Sequence, residues 1–253
     1  MMSRSEAQLS EVFLSVQGEG LYVGERQVFI RFAGCNLSCV YCDSPQALVI
    51  PKQFKVEKTP GKRDFVNCDN PASLDQVVLL VKGFDEKKGL IHSVSLTGGE
   101  PLLQVDFLKT LMPELKKMGL KSYLETNGVL SGHLSEVIDL VDIVAFDVKI
   151  PSATGLSSYL ADHRKALMVA AKKEVFVKIV FVKETPAKEI MDASEMIAEV
   201  DPNIPLVLQP VTPHGPVKHR PSAEEMLSFQ AIAKRRLKRV LVIPQIHKVM
   251  GQL

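Results

Sequence analysis

Seven short runs rich in β-branched and aromatic residues recur along the chain, and helical patterns fill the intervals between them. The runs are QVFIRFAG (27–34), HSVSLTGG (92–99), KSYLETNG (121–128), DIVAFDVK (142–149), EVFVKIVFV (174–182), IPLVLQPV (204–211) and RVLVIPQ (239–245). Each reads as a buried strand, several of them stopped by Gly or Pro. Between them, residues 73–88 place Leu74, Val77, Val78 and Val81 on one helical face, and residues 105–119 form a helix pattern ending at Gly119, a C-cap residue. Further helices are expected within 156–173, 186–200 and 221–236. Strands alternating with helices build parallel, right-handed βαβ units. Six or seven such strands fall short of the eight of a closed barrel, so the predicted fold is an α/β incomplete (β/α) barrel of about six parallel strands in one domain, 1–253. In such folds chemistry sits at the C-terminal ends of the strands. The polar motifs from Cys35 onward, TGGEP, ETNG, DVK and QPV all fall there. Residues 45–72 hold four prolines and no clean period, and are expected to be an irregular insertion or lid.

Hydrophobic residues at 46% and charged residues at 24% are ordinary for a soluble domain, and a net charge of +2 makes no electrostatic case for nucleic acid as a partner. No apolar run approaches the ~20 residues of a membrane helix. The start, MMSRSEAQLSEVF, lacks the apolar core of a signal peptide. The expected location is the cytoplasm, where clustered cysteines point to metal or catalysis rather than to disulfides.

Cys35, Cys39 and Cys42 form C-x3-C-x2-C with Tyr41 before the last thiol, directly after the first barrel strand. Thiolates suit iron–sulfur clusters or zinc. A cubane cluster usually takes four cysteines, and three leave one metal position open to a substrate. A zinc knuckle with a distant histidine, or a closed site completed by Cys68, are the alternatives at this point. Thr97–Pro101, TGGEP, ends the second core strand. Its glycines allow close approach to the backbone, and its carboxylate suits an ammonium group. Alone it would be an ordinary strand-to-helix turn.

The cysteine loop and the GGEP segment at the next strand end together resemble the radical S-adenosylmethionine (SAM) superfamily. The resemblance implies a 4Fe-4S cluster on Cys35, Cys39 and Cys42, with SAM chelating the open iron and its amino group meeting Gly98, Gly99 and Glu100. SVQGEG (15–20) before the first barrel strand and CDS (42–44) narrow this. With the cysteine loop they are similar to the 7-carboxy-7-deazaguanine synthase family of the 7-deazapurine (queuosine) pathway, from residue 12 to the C-terminus.

That family's reaction turns 6-carboxy-5,6,7,8-tetrahydropterin into 7-carboxy-7-deazaguanine. A 5′-deoxyadenosyl radical abstracts hydrogen, the ring contracts, ammonia leaves, SAM is regenerated, and Mg²⁺ assists. By this resemblance Arg31 would fork onto the pterin carboxylate, while Gln17, Gly18 and Glu19 would meet its amide and amino edge. Thr97 would donate to substrate, and Ser44, where many members have Thr, would give Mg²⁺ a hard oxygen. Asn127, Lys149 and Gln209 would contact SAM, although DVK departs from the family's Ser-Pro-Lys and only Lys149 matches. Residues 239–253 would be a last strand and a tail closing the site, with His247 and the Leu253 carboxylate on substrate.

The resemblance also implies a homodimer and an acidic electron donor such as flavodoxin. The run 233–239, AKRRLKR, is either a solvated helix face or part of a surface for that donor. The rival readings are another radical SAM enzyme, such as a glycyl-radical activase, and a non-catalytic zinc-stapled binding protein.

Overall fold

The computed structural model describes residues 5–85 and 89–252. In chain order, β1 (Glu6–Ala7) and β2 (Leu9–Val16) lead to β3 (Arg26–Phe32), then β4 (Gln53–Glu57), β5 (Phe65–Asp69) and β6 (Ala72–Ser73). Strand–helix pairs follow: α1 (Leu74–Phe84), β7 (Ser93–Gly98), α2 (Val105–Lys117), β8 (Lys121–Thr126), α3 (Ser131–Val137) and β9 (Ile143–Asp147). Next come α4 (Pro151–Thr154), α5 (Leu160–Ala170), β10 (Glu174–Phe181), α6 (Ala187–Val200), β11 (Leu206–Pro210), α7 (Ala223–Lys234), β12 (Val240–Val242) and α8 (Ile246–Met250).

Ten strands form one sheet in the order β12-β11-β10-β9-β8-β7-β3-β2-β4-β5. All seven runs read from the sequence are strands, and from β3 through β12 every neighbouring pair is parallel. The barrel is incomplete, as expected, because β12 and β5 are the two free ends of the sheet.

Residues 45–72 correct the expectation of an irregular insertion. They hold a short 3₁₀ turn and then the antiparallel hairpin β4–β5, and β4 pairs in parallel with β2. The hairpin register places Phe54 and Val56 against the core, and this period-2 pattern is hidden among flanking prolines and lysines. Strand β2, antiparallel to β3, is a further element that the sequence pattern did not expose.

Alternation along the strands builds two environments. One set, including Leu96, Leu124, Val144, Phe146, Val177, Ile179 and Leu208, packs in the main core shared with the helices. The other set faces the barrel interior. Low in the barrel this second set is apolar, with Tyr123, Ile143, Ala145, Phe176 and Val207 in a separate cluster with Leu21 and Tyr22. Higher up the same register positions become polar: Arg31, Thr97, Glu125, Asp147, Lys178 and Gln209 all line one cleft. The fold thus turns period 2 into a ring of chemistry above an aromatic floor.

Candidate functional site

Three segments that are distant in sequence meet in this cleft. The cysteine loop enters from β3, the GEG loop from β2, and the tail from β12. Cys35, Cys39 and Cys42 all line the cleft. The loop's shape is set by backbone bonds: Gly34 N–H to Ala47 C=O at 2.7 Å, Cys42 N–H to Cys39 C=O at 3.1 Å, and Val40 N–H to Thr154 C=O at 3.0 Å. Burial pushes the Cys35 and Cys39 thiols up, so both favour the protonated form until a metal draws the proton off.

Among the described residues, the one set of three such donors whose ligand atoms lie within 4.8 Å of one another is Glu19, Asp43 and His247. The three thiols are not among them.

The two glycines of TGGEP serve backbone approach. A Cβ on Gly99 would fall 1.9 Å from Gly34 O, and one on Gly98, at φ 125°, would fall 2.3 Å from Phe32 O. Glycine here brings the second strand end against the cysteine loop, and both residues still line the cleft.

Glu100 is placed differently from the two glycines before it. It is fully buried and does not line the cleft; its carboxylate instead accepts from Asn127 N–H (2.8 Å), Leu102 N–H (3.1 Å) and Thr126 Oγ1 (2.9 Å). Burial outweighs these bonds and lifts it to about 7. It clips the second and third strand ends together beneath the site.

Asn127 does line the cleft, and its Nδ2 donates to Asn36 Oδ1 at 2.7 Å in the cysteine loop. Gln209 is 2% exposed, with Oε1 buried and lacking a partner among the described residues. It lines the cleft too, a buried acceptor suited to a bound guest.

The interior carries one continuous charged row. Tyr41 Oη and Lys149 Nζ lie 2.8 Å apart, and Lys149 lies 2.8 Å from Asp147 Oδ2. Lys178 sits 3.3 Å from the same carboxylate oxygen and pairs closely with Glu19. Burial would raise Glu19, but Lys178 overrides it and holds the carboxyl down to about 2. Burial likewise opposes charge on Lys149 and Lys178, and Asp147 holds both well above the usual lysine range. Gln245 Nε2 then bridges Glu19 Oε1 (2.7 Å) to Asp43 Oδ2 (2.8 Å), and Lys248 meets Asp43 at 3.2 Å.

Lys178 carries no mark in the sequence pattern that singled out the other site residues, and Gln245 is marked only as part of the terminal PQIHKVMG. A signal for Lys178 is nonetheless present, since a lone lysine in EVFVKIVFV shares its face with Phe176 and Val180. Glu125 stands out in the sequence only as a strand end. It takes Gln17 Nε2 (3.1 Å), Ser95 Oγ (2.8 Å) and Thr97 Oγ1 (3.0 Å), and so orients two of the predicted substrate residues.

Gln17, Gly18 and Glu19 reach this site from the other end of the barrel. β2 runs against β3, so the segment after β2 rises through the floor, contrary to the rule that placed all chemistry at the strands' C-terminal ends. Gly18 is required sterically, because a Cβ there would lie 2.3 Å from the His247 side chain. Ile246 N–H donates to Gly18 O at 2.9 Å and fixes the tail beside it.

Arg31 pairs with Glu11 at 2.6 Å, lies over the Phe13 ring at 5.7 Å, and donates from Nη1 to Ser44 Oγ at 3.2 Å. Ser44 also lies 3.4 Å from Asp43 Oδ1, so two hard oxygens stand side by side at the loop's end. Leu253 lies outside the described residues, so its expected substrate contact has no structural description.

A model of the radical SAM superfamily matches residues 29–197. Over 259 aligned residues the chain is 49% identical to the curated 7-carboxy-7-deazaguanine synthase of Geobacter sulfurreducens, covering 100% of both proteins. It is 32% identical to the synthase of Methanocaldococcus jannaschii, covering 97% of this chain and all of that protein. Fold, cysteine loop and superfamily match make this a radical SAM protein. Within that class, the chain belongs to the 7-carboxy-7-deazaguanine synthase family.

Solved structures agree on the fold. QueE from Escherichia coli superposes with TM-score 0.55 at 20% identity, covering 93% of each chain. Streptococcus suis SuiB bound to S-adenosylmethionine does so with TM-score 0.54 at 14% identity, covering 83% of this chain and 48% of that one.

Proposed function

We propose that this protein converts 6-carboxy-5,6,7,8-tetrahydropterin to 7-carboxy-7-deazaguanine and ammonia, with a 4Fe-4S cluster and SAM as cofactors. The observation that carries this reading is the convergence of Gln17, Glu19, Arg31, Thr97 and His247 on the cleft that holds the three thiols. A glycyl-radical activase would need the thiols but not this polar ring.

Cys35, Cys39 and Cys42 would hold the cluster, and Asn127, Lys149 and Gln209 would face SAM. When bound, these cofactors supply the one-electron chemistry that starts hydrogen abstraction. The protein's own residues do the rest by binding and orientation. Arg31 offers its remaining N–H groups to the pterin carboxylate, with its guanidinium plane already braced by Glu11 and Phe13. Glu19, kept ionised by Lys178, accepts from amino and amide N–H groups, and Glu125 does the same from the β8 side. The aromatic floor of Tyr123 and Phe176 keeps water out below.

Asp43 and Ser44 offer Mg²⁺ two oxygens, and this arrangement supports a magnesium site at the loop's end. A cytoplasmic homodimer fed by an external one-electron donor such as flavodoxin completes the reading. The basic run 233–239 precedes β12 and so lies at the opposite strand ends from the cysteine loop, and Arg236 there pairs with Glu195 at 2.8 Å. That run is a solvated face, and the donor would have to dock at the cysteine end. Among the described residues no helix is long and apolar enough to cross a membrane.

The test is an anaerobic assay of the iron-reconstituted protein with SAM, dithionite, Mg²⁺ and the pterin. A product lighter by one ammonia, with SAM not consumed in proportion, supports the reading. 5′-Deoxyadenosine without pterin conversion would keep the radical chemistry and remove the substrate. Arg31→Ala should raise the pterin KM by about tenfold or more while sparing cluster assembly, as expected for lost carboxylate binding.

A further inference from the structure

The turn of the hairpin β4–β5 bonds the tail. Among the described residues, Arg63 is the one non-glycine with positive φ, at 57°. Its backbone is held in that unusual state from two sides. Its N–H donates to Glu57 Oε1 at 3.0 Å, and Glu57 is 1% exposed, so this bond is shielded from water. The rest of the turn is locked by Asp64, whose carboxylate takes both the N–H and the hydroxyl of Thr59 at 2.8 Å. The fixed turn delivers the Arg63 side chain across 188 positions of sequence, where Nη2 donates to Gly251 O at 2.7 Å.

Gly251 ends α8, a five-residue helix with no buried side chain and no side-chain cap. A helix this short does not sustain itself. Besides Gln245 on Glu19 and Asp43, its tethers include Ile246 on Gly18, Lys248 on Asp43, Gln252 on Ser15, and Arg63 on Gly251. The first three start from the loop and strand beside the cleft. Arg63 alone reaches in from the hairpin, and it grips the far end of the helix whose near end carries Gln245 and His247.

We propose that Arg63 is a positioning residue, and that the β4–β5 hairpin is a strut that holds the tail so that Gln245 and His247 stand over the substrate. This rests on the substrate reading above. It also gives residues 45–72 a role: they carry the strut along the outer edge of β2 to the end of the sheet where the tail passes. A guanidinium suits this role because its charge strengthens the bond to a carbonyl and its planar fork fixes the direction.

The test uses the full-length reconstituted protein with Arg63→Ala and Arg63→Lys. Alanine and lysine inherit the same backbone restriction as arginine at φ 57°, so the pair isolates the side chain. Arg63 is exposed, so neither change opens the core. Hydrogen exchange across residues 244–252 should rise in Arg63→Ala, and the pterin KM should rise by about tenfold with kcat within about twofold. The cluster absorbance and pterin-independent SAM cleavage should not change. Arg63→Lys, which can still reach the carbonyl, should recover most of the KM. A KM within about twofold of the parent, unchanged tail exchange, or lysine behaving like alanine would each overturn the proposal. If the parent protein failed to convert the pterin, the substrate reading would fall, and the tail exchange in Arg63→Ala would still decide whether the strut exists.

Discussion

The cysteine loop and the charged row lie in the same cleft but are finished to different degrees. Along the row, from Tyr41 through Lys149, Asp147 and Lys178 to Glu19, every charge already has a protein partner. The thiols have nothing comparable: Cys35 accepts a backbone N–H from Leu37 at 3.4 Å, and burial keeps both Cys35 and Cys39 protonated. The row is organised by the fold before any guest arrives, and the loop is completed by its guest. Stability should therefore reside in the row and cofactor dependence in the loop.

The sharpest way to break this contrast is to remove one member of each. Cys39→Ala should abolish SAM cleavage and lower bound iron, with the unfolding midpoint of the metal-free protein nearly unmoved; iron analysis and urea titration check both halves. Lys178→Met should do the reverse. It takes the ion partner from Glu19 in a buried site, leaves Asp147 with Lys149 alone, and should cost about 3 kcal/mol of stability, while the variant still loads iron. If Lys178→Met proved neutral in urea, the row would not be a structural unit. Gly18→Ala tests the junction of floor and tail. The added methyl displaces His247, so the pterin KM should rise by about tenfold with SAM cleavage intact.

The smallest effect is in pH. Burial lowers His163 from 6.5 to about 4, so its contribution is present above 6.5 and is lost as pH falls through 4. Burial raises Glu100 from 4.5 to about 7, so its contribution is present below 4.5 and is lost as pH rises through 7. Between 4.5 and 6.5 the two slopes oppose, and these groups leave the metal-free protein nearly flat. His163→Gln should unmask the Glu100 slope, a loss of about 1.4 kcal/mol per pH unit on raising pH through that window. Urea midpoints at pH 5 and 6.5 measure it, and parallel behaviour of parent and variant would refute the pairing.

The parallel strands were legible because each is a compact apolar run bounded by turn residues. The three thiols and TGGEP were legible because their spacing is local. What escaped was non-local. The bond from Asn127 N–H to the Glu100 carboxylate is not written in the TGGEP motif, because only the packing of two strand ends decides it. Lys178 belongs to no motif, Gln245 stood out only as part of the terminal PQIHKVMG, and both gain meaning from partners 159 and 226 positions away. β4 and β5 were obscured by four prolines, although the residues between them pair normally.

The gap in the barrel has a consequence for traffic. Past β12 the chain adds no further paired strand; it lays a tail that bonds the loop and strand at the end of β2. A closed barrel would need to break a ladder of backbone bonds to admit a flat bicyclic molecule from the side. Here the tail is held by a handful of single contacts, so freeing it would break far fewer bonds than parting two strands of the sheet.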